Sequence, residues 1–323
     1  MKVLLTGAAG FIGYHVAEAL LAQGAQVVGV DDLTAYYDVR LKQARLDRLE
    51  PQPGFAFHRI DIADRAAMES LAAAHADIAV IVHLAAQAGV RHSLVDPHAY
   101  VHTNVMGHLV VLEVARRLPA LRHLVYASSS SVYGANQVLP FRESDRVDTP
   151  LSLYAATKLA DELMGHAYAH LFGIRQTGLR FFTVYGPWGR PDMAYYSFAR
   201  AIVAGEPITL YDDGRLKRDF TYIDDIVAGI VACLELPPVE TPPARVLNIG
   251  NNGSEEVRTL VALLEQALGR KAVVRRAERP AADVEETFAS VDAIGALTGF
   301  APRTSLAEGI GRFAAWFRGF HAV

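Results

Sequence analysis

A compact apolar run, Lys2-Val3-Leu4-Leu5-Thr6, passes straight into Gly7-Ala8-Ala9-Gly10-Phe11-Ile12-Gly13 and from there into a helical pattern that lasts to Ala22. No other feature restricts the fold of this chain as much. Three glycines at GxxGxxG spacing between a strand and a helix permit a tight turn, and they let N–H groups at the helix N-terminus approach a diphosphate. Alone the motif is weak, because any glycine-rich turn can look like it. Its context is specific: the next apolar run, residues 26–30, is closed by Asp31, eighteen residues beyond Gly13. A carboxylate at that place binds the hydroxyls of an adenosine ribose and repels a 2′-phosphate, which favours NAD over NADP. Asp32 and Leu33 continue the same turn. Asp61-Ile62, ending the third apolar run, belongs at the adenine edge, and Leu84-Ala85-Ala86, ending the fourth, puts small residues where a cofactor passes close to the backbone. Arg40 and Arg45 lie downstream of the second strand but not at its end, so they do not count as ligands of a 2′-phosphate.

Further β-rich runs at residues 56–60, 78–84, 123–127, 176–182 and 245–249 alternate with helical patterns at 66–74, 99–117 and 153–171. Such alternation marks parallel βαβ units, and strands apolar on both faces need helices on both sides. The expected fold is therefore α/β: a doubly wound parallel sheet of Rossmann type, joined to a smaller irregular α/β lobe. Stretches at 183–192, 211–219 and 272–286 read as irregular and, with helices near 195–204, 257–268 and 305–317, make up that lobe. The expected boundaries are 1–180 plus about 225–252 for a dinucleotide domain, and 181–224 plus about 253–323 for a substrate lobe. A chain of 323 residues that is 51% hydrophobic can bury cores of this size.

The formal net charge is −4, so no basic field is present for a nucleic acid or an anionic membrane. Cys233 is the only cysteine, which excludes an intrachain disulfide and a cysteine-based zinc site and fits a reducing compartment. His98 and His102 are four residues apart, yet no third ligand sits nearby, so no metal site is expected. The opening residues are too short an apolar run for a signal peptide, and no apolar stretch nears the ~20 residues of a membrane helix. The expectation is a cytoplasmic protein acting on a small molecule.

Tyr154 and Lys158 stand four apart inside a helical run, and so on one helix face. Upstream, Ser128-Ser129-Ser130-Ser131 ends an apolar strand and precedes Val132-Tyr133-Gly134. The plain account is a polar loop and a surface pair. The chemical account gathers a hydroxyl, a phenol and an ammonium round one alcohol carbon. An ammonium and a positively charged nicotinamide both favour phenolate, lowering a tyrosine pKa toward neutrality. Phenolate can then take the alcohol proton as the carbon is oxidised, with Ser129 or Ser131 holding the oxygen.

Together the glycine motif, the serine run and the Tyr154/Lys158 pair resemble the extended short-chain dehydrogenase/reductase superfamily, in its nucleotide-sugar epimerase and dehydratase branch. Four strings resemble UDP-glucuronate 4-epimerases in particular: residues 31–48 (DDLTAYYDVRLKQARLDR), 83–93 (HLAAQAGVRHS), 180–193 (RFFTVYGPWGRPDM) and 217–225 (KRDFTYIDD). The likeness runs nearly end to end. It implies NAD that stays bound, a 4-keto intermediate, and interconversion of UDP-glucuronate and UDP-galacturonate. It implies Tyr154 as base, Lys158 as its partner, and Ser129 and Ser131 as contacts to substrate hydroxyls. Asn104 resembles a residue that supports the cofactor site, and Gln87 and Arg91, in the second string, are expected at the substrate. Thr183 and Arg190 resemble groups that hold the sugar carboxylate, Arg218 the arginine on the UDP pyrophosphate, and Asp283 the carboxylate on the uridine ribose. The chain departs from the family at Asp32, where Asn is common, and at Ser129 and Ser131, where Thr is frequent. It also departs at Arg279-Pro280-Ala281-Ala282, which lacks a Gln-Pro-Gly lead-in.

The superfamily further implies a homodimer built on a four-helix bundle, which would account for apolar residues on the helices at 99–118 and 153–171 beyond what one sheet face needs. Alternatives on the same scaffold are a UDP-glucuronate decarboxylase and a 4-epimerase of a neutral UDP-sugar. A regulatory protein that senses NAD without turnover is the alternative from another class. An intact Tyr154, Lys158 and serine run speaks against it.

Overall fold

The computed structural model describes residues 1–278 and 284–323. Its centre is a seven-stranded sheet containing β1 (Lys2–Thr6), β2 (Gln26–Asp31), β3 (Phe55–Arg59), β4 (Val80–His83), β5 (His123–Ser129), β6 (Gln176–Phe181) and the strand Ala244–Ile249. The order across the sheet is Ala244–Ile249, β6, β5, β4, β1, β2, β3, and every neighbouring pair is parallel. The order reverses between β1 and β4, and the crevice at the carboxyl ends of such strands is where doubly wound sheets hold ligands.

Alternation within β1 shows why the sheet needs two helical layers. Val3 and Leu5 pack with Val16 and Leu20 of helix α1 (Phe11–Ala22) on one face, while Leu4 packs with Met68, Leu71 and Leu112 on the other. Helix Ile223–Leu234 lies against α1 and joins the first of these layers through Ile226 and Ile230. Helix Leu153–Phe172 is well bounded. Ser152 caps its N-terminus, its Oγ accepting the Ala155 N–H at 3.1 Å, and Gly173 ends it at φ +69°.

Three features depart from the sequence reading. Helix α2 (Val39–Leu49), capped by Asp38, is hidden in sequence because six of its eleven residues are polar, although Leu41, Leu46 and Leu49 are buried. The stretch expected as one α-helix over 99–117 is Pro97–Tyr100 and Gly107–Ala115 joined by a π-turn, Val101–Met106. A π-turn breaks the 3.6-residue register locally, and here it carries the buried Asn104. The stretches read as irregular contain short strands: Thr183–Tyr185 pairs with Phe220–Tyr222, Lys217–Arg218 lies between Glu255–Glu256 and Glu286–Thr287, and Pro207–Tyr211 pairs with Val273–Ala277. Strands of two or three residues show no period, and Val273–Ala277 is too exposed to alternate.

The C-terminal helix Leu306–His321 sets Trp316 against Trp188 at 5.3 Å between ring centres, bracing the loop that follows Thr183–Tyr185. Among the described residues no helix is long and apolar enough to cross a membrane.

Candidate active site

A cavity of about 1460 Å³ follows the carboxyl ends of β1, β2, β4, β5 and β6 and continues beneath the smaller lobe. Drug-sized ligands occupy roughly 300–1,000 Å³, so this space suits two ligands side by side.

The first end is built by the glycine turn. Gly7 sits at φ +74°, and a Cβ on it would come within 2.8 Å of the Ala85 nitrogen; a Cβ on Gly13 would lie 2.0 Å from the Gly7 oxygen. Both positions demand glycine. Helix α1 begins at Gly10 with no side-chain cap, so its first N–H groups, from Phe11, Ile12 and Gly13, remain open on the cavity wall. The positive end of a helix left open in this way is a site for a diphosphate. Beside it the buried Asp31 carboxylate accepts the Leu33 N–H at 2.9 Å on Oδ1 and the Ala9 N–H at 3.2 Å on Oδ2. Asp61 and Ile62 continue the wall, and His102 Nε2 lies 2.7 Å from Asp61 Oδ2. Leu84, Ala85 and Ala86 pass beneath the turn, with the Ala85 N–H donating to Thr6 Oγ1 at 3.1 Å.

Two residues expected at the cofactor do not line the cavity. Leu33 contributes only its N–H to Asp31. Asn104 stands behind the wall, where Oδ1 accepts the Gln87 N–H at 2.8 Å and Nδ2 donates to Gln87 O and Thr157 Oγ1, each at 3.0 Å. It thereby ties the end of β4 to the helix that carries Tyr154 and Lys158.

That helix supplies the centre of the cavity. Tyr154 and Lys158 both line it, and the Tyr154 ring meets Tyr100 edge-on at 6.1 Å. Lys158 is buried, its Nζ donating to Asp161 Oδ2 at 2.7 Å. Burial pushes the Asp161 carboxyl up to about 6 against the opposing pull of Lys158. Within the serine run, Ser128 turns inward and donates to Glu162 Oε1 at 2.5 Å, and Glu162 in turn holds Arg180 through two bonds of 2.9 and 2.8 Å. Ser129 and Ser131 remain on the cavity wall, with Ser129 Oγ accepting the Ser131 N–H at 3.2 Å.

Three arginines line the same cavity, Arg190, Arg218 and Arg91, together with Thr183 and Gln87, and the Arg91 guanidinium lies 4.9 Å above the Tyr211 ring. Arg218 Nη1 donates to Lys217 O at 2.7 Å and Glu285 O at 3.2 Å. Arg190 already has an anion: its Nε and Nη2 donate to the two Asp192 oxygens at 3.0 and 2.5 Å, and Tyr36 donates to the same carboxylate at 3.1 Å. Burial acts against the Asp192 charge, but Arg190 outweighs it and holds the carboxyl below its ordinary value. Asp283, expected at a uridine ribose, lies outside the described residues.

The model of the NAD-dependent epimerase/dehydratase family matches residues 3–250. The chain belongs to that family. A probable UDP-glucuronate 4-epimerase of Rhizobium meliloti is 48% identical over 98% of this chain and 97% of its own length. The solved UDP-glucuronic acid 4-epimerase of Bacillus cereus, in complex with UDP-glucuronic acid and NAD, superposes with a TM-score of 0.92 at 35% identity, covering 99% of this chain and 100% of that one. A tyrosine-to-phenylalanine variant of the same enzyme, in complex with UDP-4-deoxy-4-fluoro-glucuronic acid and NAD, superposes equally well at 0.92 and 34% identity, over 99% of this chain and 100% of that one. For a member of this family the glycine cradle, the uncapped helix and the buried Asp31 fit NAD.

Other site features escape the sequence reading. Lys42, on α2, lies 3.1 Å from Asp31 Oδ1 and lines the cavity. Its spacing of four and seven from Leu46 and Leu49 marks the inner face of a helix, but only once α2 is known to be one. Arg45 is fully buried and donates to Ala9 O, Tyr37 Oη, Trp188 O and Gly189 O, stitching the glycine turn to the loop before Arg190. Asp192 and Tyr36 lie in strings that carry the family resemblance, but nothing in the sequence pairs them with Arg190, which they meet only through the fold.

Proposed function

We propose that this chain is a UDP-glucuronate 4-epimerase, interconverting UDP-glucuronate and UDP-galacturonate through a 4-keto sugar. What carries the reading is the continuity of the cavity, which joins the open end of α1 and Asp31 to Tyr154 and Lys158, and these to Thr183, Arg190 and Arg218. A phenol placed between a dinucleotide site and an arginine-lined anion site suits oxidation and re-reduction of one carbon of a nucleotide sugar. Gly7, Gly10, Phe11, Ile12 and Gly13 would face the diphosphate of NAD, Asp31 its adenosine ribose with Asp32 and Leu33 behind, Asp61 and Ile62 its adenine, and Leu84 to Ala86 its passage toward Tyr154. Bound NAD supplies reversible hydride transfer at C4, so no external redox partner is consumed.

Tyr154, as phenolate, takes the O4 proton while C4 is oxidised and returns it when C4 is reduced on its other face. Lys158 favours the phenolate by its charge. Its ammonium has three donors and gives one to Asp161, which fixes its direction. Ser129 and Ser131 hold the reacting oxygen, Asn104 positions Gln87, Arg218 grips the pyrophosphate, and Thr183 and Arg190 hold the sugar carboxylate. Residues 1–180 with about 225–252 carry the cofactor, and 181–224 with about 253–323 carry the UDP-sugar, a division supported by the strand Ala244–Ile249 pairing with β6. A single cysteine, itself buried, suits the cytoplasm.

Incubation with UDP-glucuronate and no added nicotinamide nucleotide tests the reading. The expected product is UDP-galacturonate. A UDP-pentose would make the protein a decarboxylase, and bound NAD without turnover would make it a sensor. Nucleotide released on denaturation is expected to be NAD or NADH; NADP in that fraction would refute the role given to Asp31.

A homodimer belongs to the same reading. Leu163 and Leu171 are 65% and 66% exposed on helix Leu153–Phe172, beside the half-exposed Met106 of the neighbouring π-turn. Apolar side chains this open on adjacent helices suit a partner's matching pair. Sedimentation should give twice the mass of one chain, and Leu163→Glu with Leu171→Glu should halve it. An unchanged mass would move the interface elsewhere.

A further inference from the structure

We propose that Lys42 is a cofactor-specificity residue: it furnishes the adenosine end of the cavity with a cation that Asp31 keeps occupied, so that the exclusion of a 2′-phosphate rests on one carboxylate. The geometry is direct. Lys42 Nζ lies 3.1 Å from Asp31 Oδ1 and 3.9 Å from Asp32 Oδ1, and the side chains of Lys42 and Asp31 are 7% and 6% exposed. Both line the cavity, so a group touching the Asp31 carboxylate also comes within reach of the ammonium. The other charged groups there make their own contacts, and among the ion pairs of the described residues only Lys42 is paired with Asp31. Asp32 accepts the Thr34 N–H at 2.8 Å, Arg59 donates to Asp32 O at 3.2 Å from the strand position opposite Asp31, and Asp61 meets His102.

A buried ammonium is tolerated only with a partner. With Asp31 present, the ion pair carries no net charge, the carboxylate is held for the ribose hydroxyls, and an incoming 2′-phosphate meets that carboxylate. Without the Asp31 carboxylate, Lys42 becomes a buried cation whose nearest anion is 3.9 Å away, at the place where a 2′-phosphate would enter. The site therefore holds a latent phosphate ligand beneath its NAD selectivity. Lys42 also explains how a carboxylate buried at the end of β2 is sustained, since its remaining partners are two backbone N–H groups.

The inference rests on the reading that the adenosine ribose lies at Asp31, and it is tested by binding rather than turnover. Purified wild type, Asp31→Ser, Asp31→Ser/Lys42→Met and the near-isosteric Asp31→Asn are titrated with NADH and NADPH after bound nucleotide is exchanged, following nicotinamide fluorescence. Wild type should prefer NADH. Asp31→Ser, and Asp31→Asn should the serine variant fold poorly, should shift the NADPH-to-NADH affinity ratio by about 10- to 150-fold toward NADPH, the range for a charged hydrogen bond. Adding Lys42→Met should remove most of that shift in the NADPH-to-NADH affinity ratio. A double variant that keeps the full shift, or a single variant that shows none, would overturn the assignment to Lys42. Wild type binding neither nucleotide would overturn the ribose reading along with it, so the two failures are distinguishable.

Discussion

Tyr154→Phe is expected to lower kcat by about 10²–10⁴, the range for losing general acid–base help, while the affinity for UDP-glucuronate stays nearly unchanged. The substitution removes one hydroxyl and leaves a ring that can keep its edge-on contact with Tyr100 at 6.1 Å. Structure is therefore preserved, and the loss falls on proton transfer. Steady-state kinetics with parallel calorimetric binding separate the two quantities. Near-normal turnover would remove the proposed mechanism altogether. Lys158→Met should cost a comparable factor, because it removes the ammonium that shares the helix face and the cavity with Tyr154. Burial already raises the Asp161 carboxyl to about 6 while Lys158 pulls it down, so loss of Lys158 moves it further up and weakens the charge left behind.

Arg190→Ala is expected to weaken UDP-glucuronate relative to neutral UDP-glucose by about 1.5–3 kcal/mol, the value of a lost charged hydrogen bond. The chemistry makes this grip necessary. Oxidising C4 of UDP-glucuronate creates a β-keto acid, which loses CO₂ when its C5–C6 bond aligns with the carbonyl π system. An epimerase must hold the carboxylate out of that alignment while the ring turns over to be reduced on its other face. The Asp192 pair refines the expectation. Its carboxylate occupies the Nε and Nη2 edge of Arg190, so a sugar carboxylate held there would use the Nη1 side. In Arg190→Ala, Asp192 would face the substrate carboxylate with no cation between them, and like charges repel. Arg190→Ala/Asp192→Asn should therefore bind UDP-glucuronate better than Arg190→Ala alone. A trace of UDP-pentose from either variant would report the loosened carboxylate. Equal losses for both sugars would show that this loop does not read a carboxylate.

The sheet was legible from sequence because its inner strands are buried on both faces. Runs such as Val3-Leu4-Leu5 and Ile81-Val82 have no polar interruptions, and a glycine turn followed by Asp31 leaves few folds to choose from. Tyr154, Lys158 and the serine run were likewise legible, since chemistry fixes residue type and helical spacing fixes their common face. Helix α2 was not, because its inner face carries Lys42 and Arg45, and charged residues inside defeat a hydrophobic pattern.

What the sequence by itself determined is the doubly wound sheet, the glycine turn between its first strand and first helix, and a helix that puts Tyr154 and Lys158 on one face, all of which depend on local spacing along the chain. Only the tertiary structure decided which groups answer one another across it. Lys42 meets Asp31 from eleven residues away, Arg45 reaches Trp188 across 143, and Tyr36 reaches Asp192 across 156. Such contacts leave no periodicity, because a charged side chain is buried only where folding brings a counter-charge or a row of carbonyls to it, and the partner can come from anywhere in the chain.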